Sequence, residues 1–139
     1  MHLLDTDTVS HLWANHERVV DRLRRCDDTE IGTTSISKCE ILRARCENLL
    51  KAAAPEDAVK AQQRLDRSER KLAELTVAPF DEAAAVELAR LEQVQKLKKI
   101  GRVDLLISSI ALANDATLVT RNLRHFRQIP NLKVENWVD

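Results

Sequence analysis

Short apolar runs alternate with longer stretches of helical periodicity along the whole chain. Five runs rich in leucine or β-branched side chains predict strands at about 2–5, 30–34, 76–78, 117–120 and 132–134. The stretches between them repeat apolar residues every three to four positions, which predicts helices. Because strands that alternate with helices favour a parallel sheet with helices on both faces, we expect an α/β fold with about five short strands.

The helical stretches begin at residues that suit a helix start. Thr6 or Asp7 can cap a first helix to about Ala14, and Pro55 followed by two acids suits the first turn of another, to about Leu75. Four further helices are predicted: one at 17–25, one opening at Ser37, one from Asp81 to about Lys99, and one at 104–113. The segment 40–75 exceeds what a strand crossover needs, so we expect a helical arm there. The charged positions from Arg64 to Lys71 on this arm are expected to be solvated.

Composition narrows the class of protein. With 139 residues, 44% hydrophobic and 32% charged, the chain predicts one globular domain spanning 1–139. The three cysteines, Cys26, Cys39 and Cys46, include no CxxC pair and favour a reducing compartment over disulfides or zinc. No apolar stretch approaches the length of a membrane span, so we expect a cytoplasmic protein without a membrane partner.

Charge is balanced over the whole chain but uneven locally. Because 22 basic and 22 acidic residues give a formal net charge of zero, global charge does not favour a nucleic-acid partner. Three arginines, Arg121, Arg124 and Arg127, nevertheless crowd the segment that follows the fourth predicted strand. This segment is where we expect a positive surface.

Four polar residues stand where strands end or helices begin. Asp5 follows the first strand, Glu40 lies early in the helix after the second, Asp104 opens the most apolar helix, and Asn122 follows the fourth strand. The carboxyl ends of parallel strands gather at one edge of the sheet, where α/β folds bind ligands. Three carboxylates and an amide at one edge suit Mg²⁺ or Mn²⁺, since the carboxylates would repel one another without a cation.

Each of these residues also has a purely structural interpretation. Asp5 and Asp104 can cap helices, and Asn122 can be a turn residue. Ser37 and Glu40 fit the S-x-x-E capping box, in which both side chains bind backbone amides. Capping explains each residue alone, whereas a shared site explains why all four stand at one edge of the sheet. We therefore favour the site.

Four segments carry these residues in a fixed order. They are LLDTDTVS at 3–10, SISKCEIL at 35–42, IGRVDLLISSIALANDATLVT at 100–120 and TRNLRHF at 120–126. Together they resemble PIN-domain ribonucleases and, more narrowly, the VapC toxins of bacterial VapBC toxin–antitoxin modules. The resemblance covers essentially the whole chain, up to LKVENW at 132–137. Order and spacing, rather than any single motif, make it specific.

The resemblance implies a Mg²⁺-dependent endoribonuclease in which Mn²⁺ can substitute. Asp5 and Asp104 would be direct metal ligands, and Glu40 would act as a ligand directly or through water. Members of the family often carry a fourth acid where this chain has Asn122. Because an amide supplies an oxygen without a charge, Asn122 would complete the catalytic set but hold a second metal weakly.

The resemblance also implies substrate contacts and partners. Thr120 and Arg121 would contact the scissile or an adjacent phosphate, and Arg124 and Arg127 would contact flanking phosphates, which position RNA without selecting its sequence. The expected partners are an RNA substrate, a VapB-like antitoxin that blocks the acidic groove, and a second copy of the chain in a homodimer.

Two other functions remain open at this stage. Asp5-Thr6-Asp7-Thr8-Val9 also fits the DxDxT/V motif of haloacid-dehalogenase-type phosphatases, with Asp5 as nucleophile and Asp7 as general acid. In that mechanism Thr34 or Ser35 would bind phosphate. A non-catalytic PIN-like module that binds RNA or protein is the second alternative, since Asn122 departs from the acidic pattern.

Overall fold

A five-stranded parallel sheet forms the centre of the computed structural model, which describes residues 1–139. Its strands are β1 (His2–Leu4), β2 (Ile31–Thr34), β3 (Thr76–Ala78), β4 (Thr117–Val119) and β5 (Lys133–Glu135). They lie side by side in the order β3-β2-β1-β4-β5, and all four pairings are parallel. The prediction of an α/β fold with about five short strands is therefore confirmed.

Seven α-helices and one 3-10 helix connect the strands. They are α1 (Thr6–Trp13), α2 (Glu17–Arg25), α3 (Ser35–Lys51), α4 (Pro55–Ala73), α5 (Glu82–Glu92), the 3-10 helix (Gln95–Lys99), α6 (Arg102–Ala113) and α7 (Leu123–Phe126). Helices α3 and α4 pack against each other. None of the helices is both long and apolar enough to span a membrane.

The core lies on both faces of the sheet because neighbouring residues in a strand point to opposite faces. Leu3 and Leu118 belong to one buried cluster, which they form with residues of α5 and α6. Their neighbours Leu4 and Val119 belong to a second cluster with residues of α1, α2, α3 and α4. The strands are thus buried on both faces, as is typical of all-parallel sheets.

The strand order reverses at the middle of the sheet. From β1 the chain proceeds to β2 and β3 on one side, and it then crosses to β4 and β5 on the other. Such a reversal between β1 and β4 leaves a crevice at the carboxyl ends of these strands, where open α/β folds bind ligands. This crevice is where the predicted site residues are expected to meet.

The helix predicted from Asp81 to about Lys99 is shorter than expected. Asp81 caps it as predicted, since its carboxylate accepts a hydrogen bond from the Ala84 amide at 3.0 Å. The α-helix ends at Glu92, and a 3-10 helix follows. In a continuous α-helix Leu97 would lie two and a half turns beyond Leu88 and so on the opposite face. The break returns Leu97 to the core, where it is 1% exposed.

Asp28 contacts three groups near the start of the central strand, β1. Its Oδ2 atom lies 2.7 Å from both the Met1 ammonium and Nδ1 of His2, and its Oδ1 accepts a hydrogen bond from the Glu30 amide at 2.9 Å. The hydrogen bond from the ammonium, followed by those from Glu30 and His2, holds the pKa of Asp28 well below its usual range. The charged carboxylate therefore stabilises the folded state.

We expect Asp28→Asn to lower the melting temperature at pH 7. A depressed pKa contributes stability above the unfolded value of about 4, and that contribution is lost as the pH falls toward the folded value. The difference between wild type and variant should therefore shrink below about pH 4. Thermal unfolding from neutral to acidic pH measures it, with Asp27→Asn as the control because Asp27 is exposed. A difference that does not change with pH would contradict this role.

Candidate active site

Asp5 lies directly after β1 at the crevice. Its backbone amide donates to the Val119 carbonyl at 3.0 Å, and its side-chain Oδ1 accepts from the Thr8 amide at 2.9 Å. Asp5 is thus the N-cap of α1, and the prediction that Thr6 or Asp7 caps this helix is wrong. Because the cap uses Oδ1, the second carboxylate oxygen remains available at the edge of the sheet.

Glu40 is directed toward the same edge by Thr6. The Thr6 hydroxyl donates to Oε1 of Glu40 at 2.7 Å, which links the start of α1 to α3. The capping box of Ser37 and Glu40 is not formed. Helix α3 begins at Ser35, and Thr34 caps it by accepting from the Ser37 amide at 3.0 Å. Because Ser37 lies inside the helix, Glu40 has no capping role.

Asp104 is half-buried in the first turn of α6. The N-cap position of this helix is Gly101, so the capping interpretation of Asp104 is also wrong. Its Oδ2 atom lies 3.0 Å from Nε2 of His125. Burial raises the pKa of Asp104, the charge of His125 opposes the rise, and the negative charges of Glu40 and Asp5 add to it.

The three predicted carboxylates therefore converge, although they come from distant parts of the sequence. None of Asp5, Glu40 and Asp104 has a lysine or arginine within ion-pair distance. Like charges without basic partners at a half-buried edge suit a divalent cation. The side chains are not arranged as a finished ligand group, since Thr6 engages Glu40 and His125 engages Asp104. The donor chemistry of the three carboxylates fits Mg²⁺.

His125, which the sequence places among the basic residues after β4, contacts Asp104, and the sequence did not predict this contact. Its Nε2 atom is buried and lies close to Oδ2 of Asp104 without a hydrogen bond between them. We interpret the contact as electrostatic. The ring packs edge-on against Phe126, with centroids 5.7 Å apart. The available signal was its position three residues after Asn122, which places both residues on one side of a helical turn.

The segment after β4 places Thr120 and Asn122 differently. Thr120 is fully buried, and its hydroxyl accepts from the Asn122 amide at 3.0 Å. Thr120 therefore positions the turn, and it has no surface for the predicted contact with phosphate. Asn122 is exposed at the N-terminus of α7, and its side chain makes no capping bond. Its amide oxygen is free to face the crevice.

The three predicted arginines also differ in their surroundings. Arg121 forms an ion pair with Asp139, with Nη2 3.2 Å from Oδ1, so its charge is partly compensated. Arg124 and Arg127 are exposed on and after α7 and form no ion pair. Arg124 and Arg127 are accordingly the better placed of the three to contact a polyanion.

Two residues of the phosphatase interpretation, Asp7 and Thr34, have surroundings that do not favour it. The Asp7 side chain is 54% exposed and lies 3.6 Å from Nδ1 of His11, one turn along α1. Thr34 is fully buried, and its hydroxyl is occupied as the cap of α3. The geometry therefore favours the carboxylate cluster of Asp5, Glu40 and Asp104 over the DxDxT/V interpretation.

Two curated relatives match parts of this chain. Ribonuclease VapC2 of Rickettsia felis is 56% identical over 48 residues, which is 34% of this chain and 36% of that protein. The tRNA(fMet)-specific endonuclease VapC of Salmonella typhimurium is 32% identical over 68 residues, which is 48% of this chain and 52% of that protein. The aligned stretches thus span between about a third and a half of these relatives.

Solved structures share the fold over nearly the full length. The VapBC2 structure from Rickettsia felis, bound to a promoter DNA fragment, has a TM-score of 0.74 at 28% identity and covers 98% of both chains. VapBC-1 from nontypeable Haemophilus influenzae has a TM-score of 0.80 at 21% identity and covers 99% of this chain and 98% of that one. The PIN domain model matches residues 3–132, which include all the carboxylates at the crevice. The chain therefore belongs to the PIN domain family, as its motifs predicted.

Proposed function

We propose that this protein is a divalent-metal-dependent endoribonuclease and the toxin of a type II toxin–antitoxin pair, with residues 1–139 acting as one domain. The observation that carries the proposal is the convergence of Asp5, Glu40 and Asp104 at the reversal of strand order in a PIN fold. The names of the relatives, a ribonuclease and a tRNA endonuclease, support RNA as the substrate.

The residues of the crevice have different roles in this proposal. Asp5 and Asp104 would hold Mg²⁺, or Mn²⁺ in its place, and Glu40 would bind it directly or through water. A bound ion of this kind lowers the pKa of water and neutralises charge on the reacting phosphate. Thr6 orients Glu40 through its 2.7 Å hydrogen bond, and His125 places its ring nitrogen Nε2 3.0 Å from the Asp104 carboxylate.

The arginines and the partners follow from the same proposal. Arg124 and Arg127 supply exposed positive charge for flanking phosphates, and Arg121 joins them when its ion pair with Asp139 opens. Structures of VapBC complexes among the related folds support a VapB-like antitoxin as a partner. A homodimer and action in the cytoplasm, where the three free cysteines remain reduced, complete the proposal.

The decisive experiment compares two substrates and three metal conditions. Purified protein, freed of any antitoxin, is incubated with total RNA or with a phosphomonoester, in Mg²⁺, Mn²⁺ or EDTA. We expect metal-dependent RNA fragments with 5′-phosphate ends, and the same fragments from Asp7→Asn. Phosphate release that is lost in Asp7→Asn would instead identify a phosphatase. Activity on neither substrate would favour a binding module.

Asn122 sets the affinity for metal in this proposal. We expect Asn122→Asp to tighten Mn²⁺ binding by about tenfold, because a full charge within a few ångströms of a cation contributes on the order of 1 kcal/mol or more. Isothermal titration with Mn²⁺ measures the change. Asn131→Asp adds the same charge at an exposed turn before β5 and is the control. Equal affinities for wild type and Asn122→Asp would show that residue 122 does not face the ion.

A further inference from the structure

An open basic pocket lies outside the carboxylate site, between α1, α3 and α4. Its volume is about 390 Å³, and its lining includes Arg45, Arg64, Arg67 and Lys71 but no acidic residue. Trp13 of α1 contributes an aromatic wall. A chain with no net charge thus collects four cationic side chains around one concavity.

Helical spacing explains how the basic pocket forms. Arg64, Arg67 and Lys71 are separated by three and four positions, so they share one face of α4. All three are exposed, as the sequence predicts, and they line the same pocket as Arg45 of α3. The packing of α3 against α4 brings the two sets of charges together.

The charges of the basic pocket have no compensating partners in the protein. None of the four cationic side chains forms an ion pair with a carboxylate. Arg45 donates only to the Ser68 hydroxyl, at 3.1 Å, and Lys71 lies 5.5 Å from the centre of the Trp13 ring. Burial, followed by repulsion from Arg64 and Arg67, lowers the pKa of Arg45. Positive charges held together in this way attract an anion.

The basic pocket is adjacent to the carboxylate site along two helices. On α1, Ser10 lines the pocket and donates to the Thr6 carbonyl at 3.1 Å, and Thr6 in turn binds Glu40. On α3, Arg45 follows Glu40 by five residues, a rise of about 8 Å along the helix axis. Five residues also rotate the chain by about 140° around α3, so the closer link runs along α1, where Thr6 and Ser10 are about one turn apart.

We propose that the basic pocket binds a backbone phosphate of single-stranded RNA that flanks the scissile bond. The proposal rests on the proposed ribonuclease function and adds a substrate contact that the site arginines do not provide. Guanidinium groups bind phosphate oxygens through paired hydrogen bonds, and three arginines meet here. An aromatic wall beside a basic groove is also typical of surfaces that bind single strands.

The test measures RNA binding separately from cleavage. A labelled single-stranded RNA is titrated in EDTA with wild type, with Arg64→Gln/Arg67→Gln, and with the control Arg24→Gln/Arg70→Gln, which removes the same charge at exposed positions outside the pocket. We expect the affinity of the pocket variant to fall by at least about tenfold. The slope of log affinity against log salt should become shallower by about 0.7 for each phosphate that the variant no longer neutralises. The control should remain close to wild type.

Two further measurements distinguish the possible outcomes. Poly-glutamate is titrated in parallel, and melting temperatures confirm that both double variants fold. Unchanged RNA affinity in the pocket variant overturns the proposal, and loss of poly-glutamate binding alone assigns the pocket to an acidic protein segment. Cleavage in Mg²⁺ tests the ribonuclease function itself. If wild type cleaves RNA and the pocket variant binds RNA normally, only the proposed role of the pocket is refuted. If wild type does not cleave RNA but the pocket variant loses RNA binding, only the proposed ribonuclease function is refuted.

Discussion

We expect Asp104→Asn to abolish metal-dependent RNA cleavage and to raise the melting temperature at neutral pH. Activity should fall by at least about 100-fold, since a bound metal contributes several kcal/mol of transition-state stabilisation. Stability should rise because the raised pKa of Asp104 means that its ionised form is disfavoured in the folded state. Asp104 does not cap α6, so the substitution removes no capping bond.

The pH dependence of this gain has a definite sign. A group whose pKa is raised on folding binds its proton more tightly in the native state, so ionisation destabilises the protein as the pH rises above the unfolded value of about 4. The advantage of Asp104→Asn in EDTA should grow through that range and then become constant. Adding Mg²⁺ should stabilise wild type but not the variant. A variant that melts below wild type at neutral pH would assign Asp104 a structural role, and Asp7→Asn is the matched control.

We expect Gly32→Ala to destabilise the protein strongly, and far more than alanine at Gly101, the other glycine of the chain. A Cβ atom at Gly32 would lie 2.0 Å from the carbonyl oxygen of Thr76 and 2.8 Å from its carbonyl carbon. Both atoms belong to the backbone of the neighbouring strand β3, which is paired with β2 at this position. The destabilisation should exceed the usual range of about 1–3 kcal/mol for overpacking, because a backbone cannot move aside as a side chain can.

The second glycine of the chain provides the control for this prediction. A Cβ atom at Gly101 meets nothing within 4 Å, and the backbone there has φ of −65°. Gly101→Ala should therefore change the free energy of unfolding by no more than about 0.5 kcal/mol. Urea denaturation of both variants measures the difference. Similar stability of the two variants would mean that the backbones of β2 and β3 leave room for a methyl group at residue 32.

The fold could be predicted from the sequence because its strands are short, apolar and separated by amphipathic helices. The carboxylates could also be predicted, since a parallel sheet brings residues such as Asp5 and Asp104 to one edge. The residues that cap the helices were harder to predict from the sequence. Thr34 and Ser37 are both hydroxyl residues near one helix start, and only the end of β2 determines which of them caps α3.

The features that could not be predicted depend on how helices pack. The repeat of Arg64, Arg67 and Lys71 defines one face of α4, but the sequence does not show that Arg45 lies opposite that face. The contact between His125 and Asp104 likewise arises because a short helix after β4 meets the start of α6. The end of α5 at Glu92 was also not predicted. The helical periodicity of the sequence continues for one more turn before Leu97 falls out of phase with Leu88.

The position of β1 in the sheet affects when this protein can become active during its own synthesis. β1 is made first, yet it is the central strand, and Leu3 pairs with Leu118 near the other end of the chain. Pairing between such distant segments forms late, because the chain between them must first be available and closed into a loop. On the ribosome, Asp104 and β4 emerge long after β1 and Asp5. The acidic site therefore cannot form until the segment that carries Asp104 and β4 has been translated.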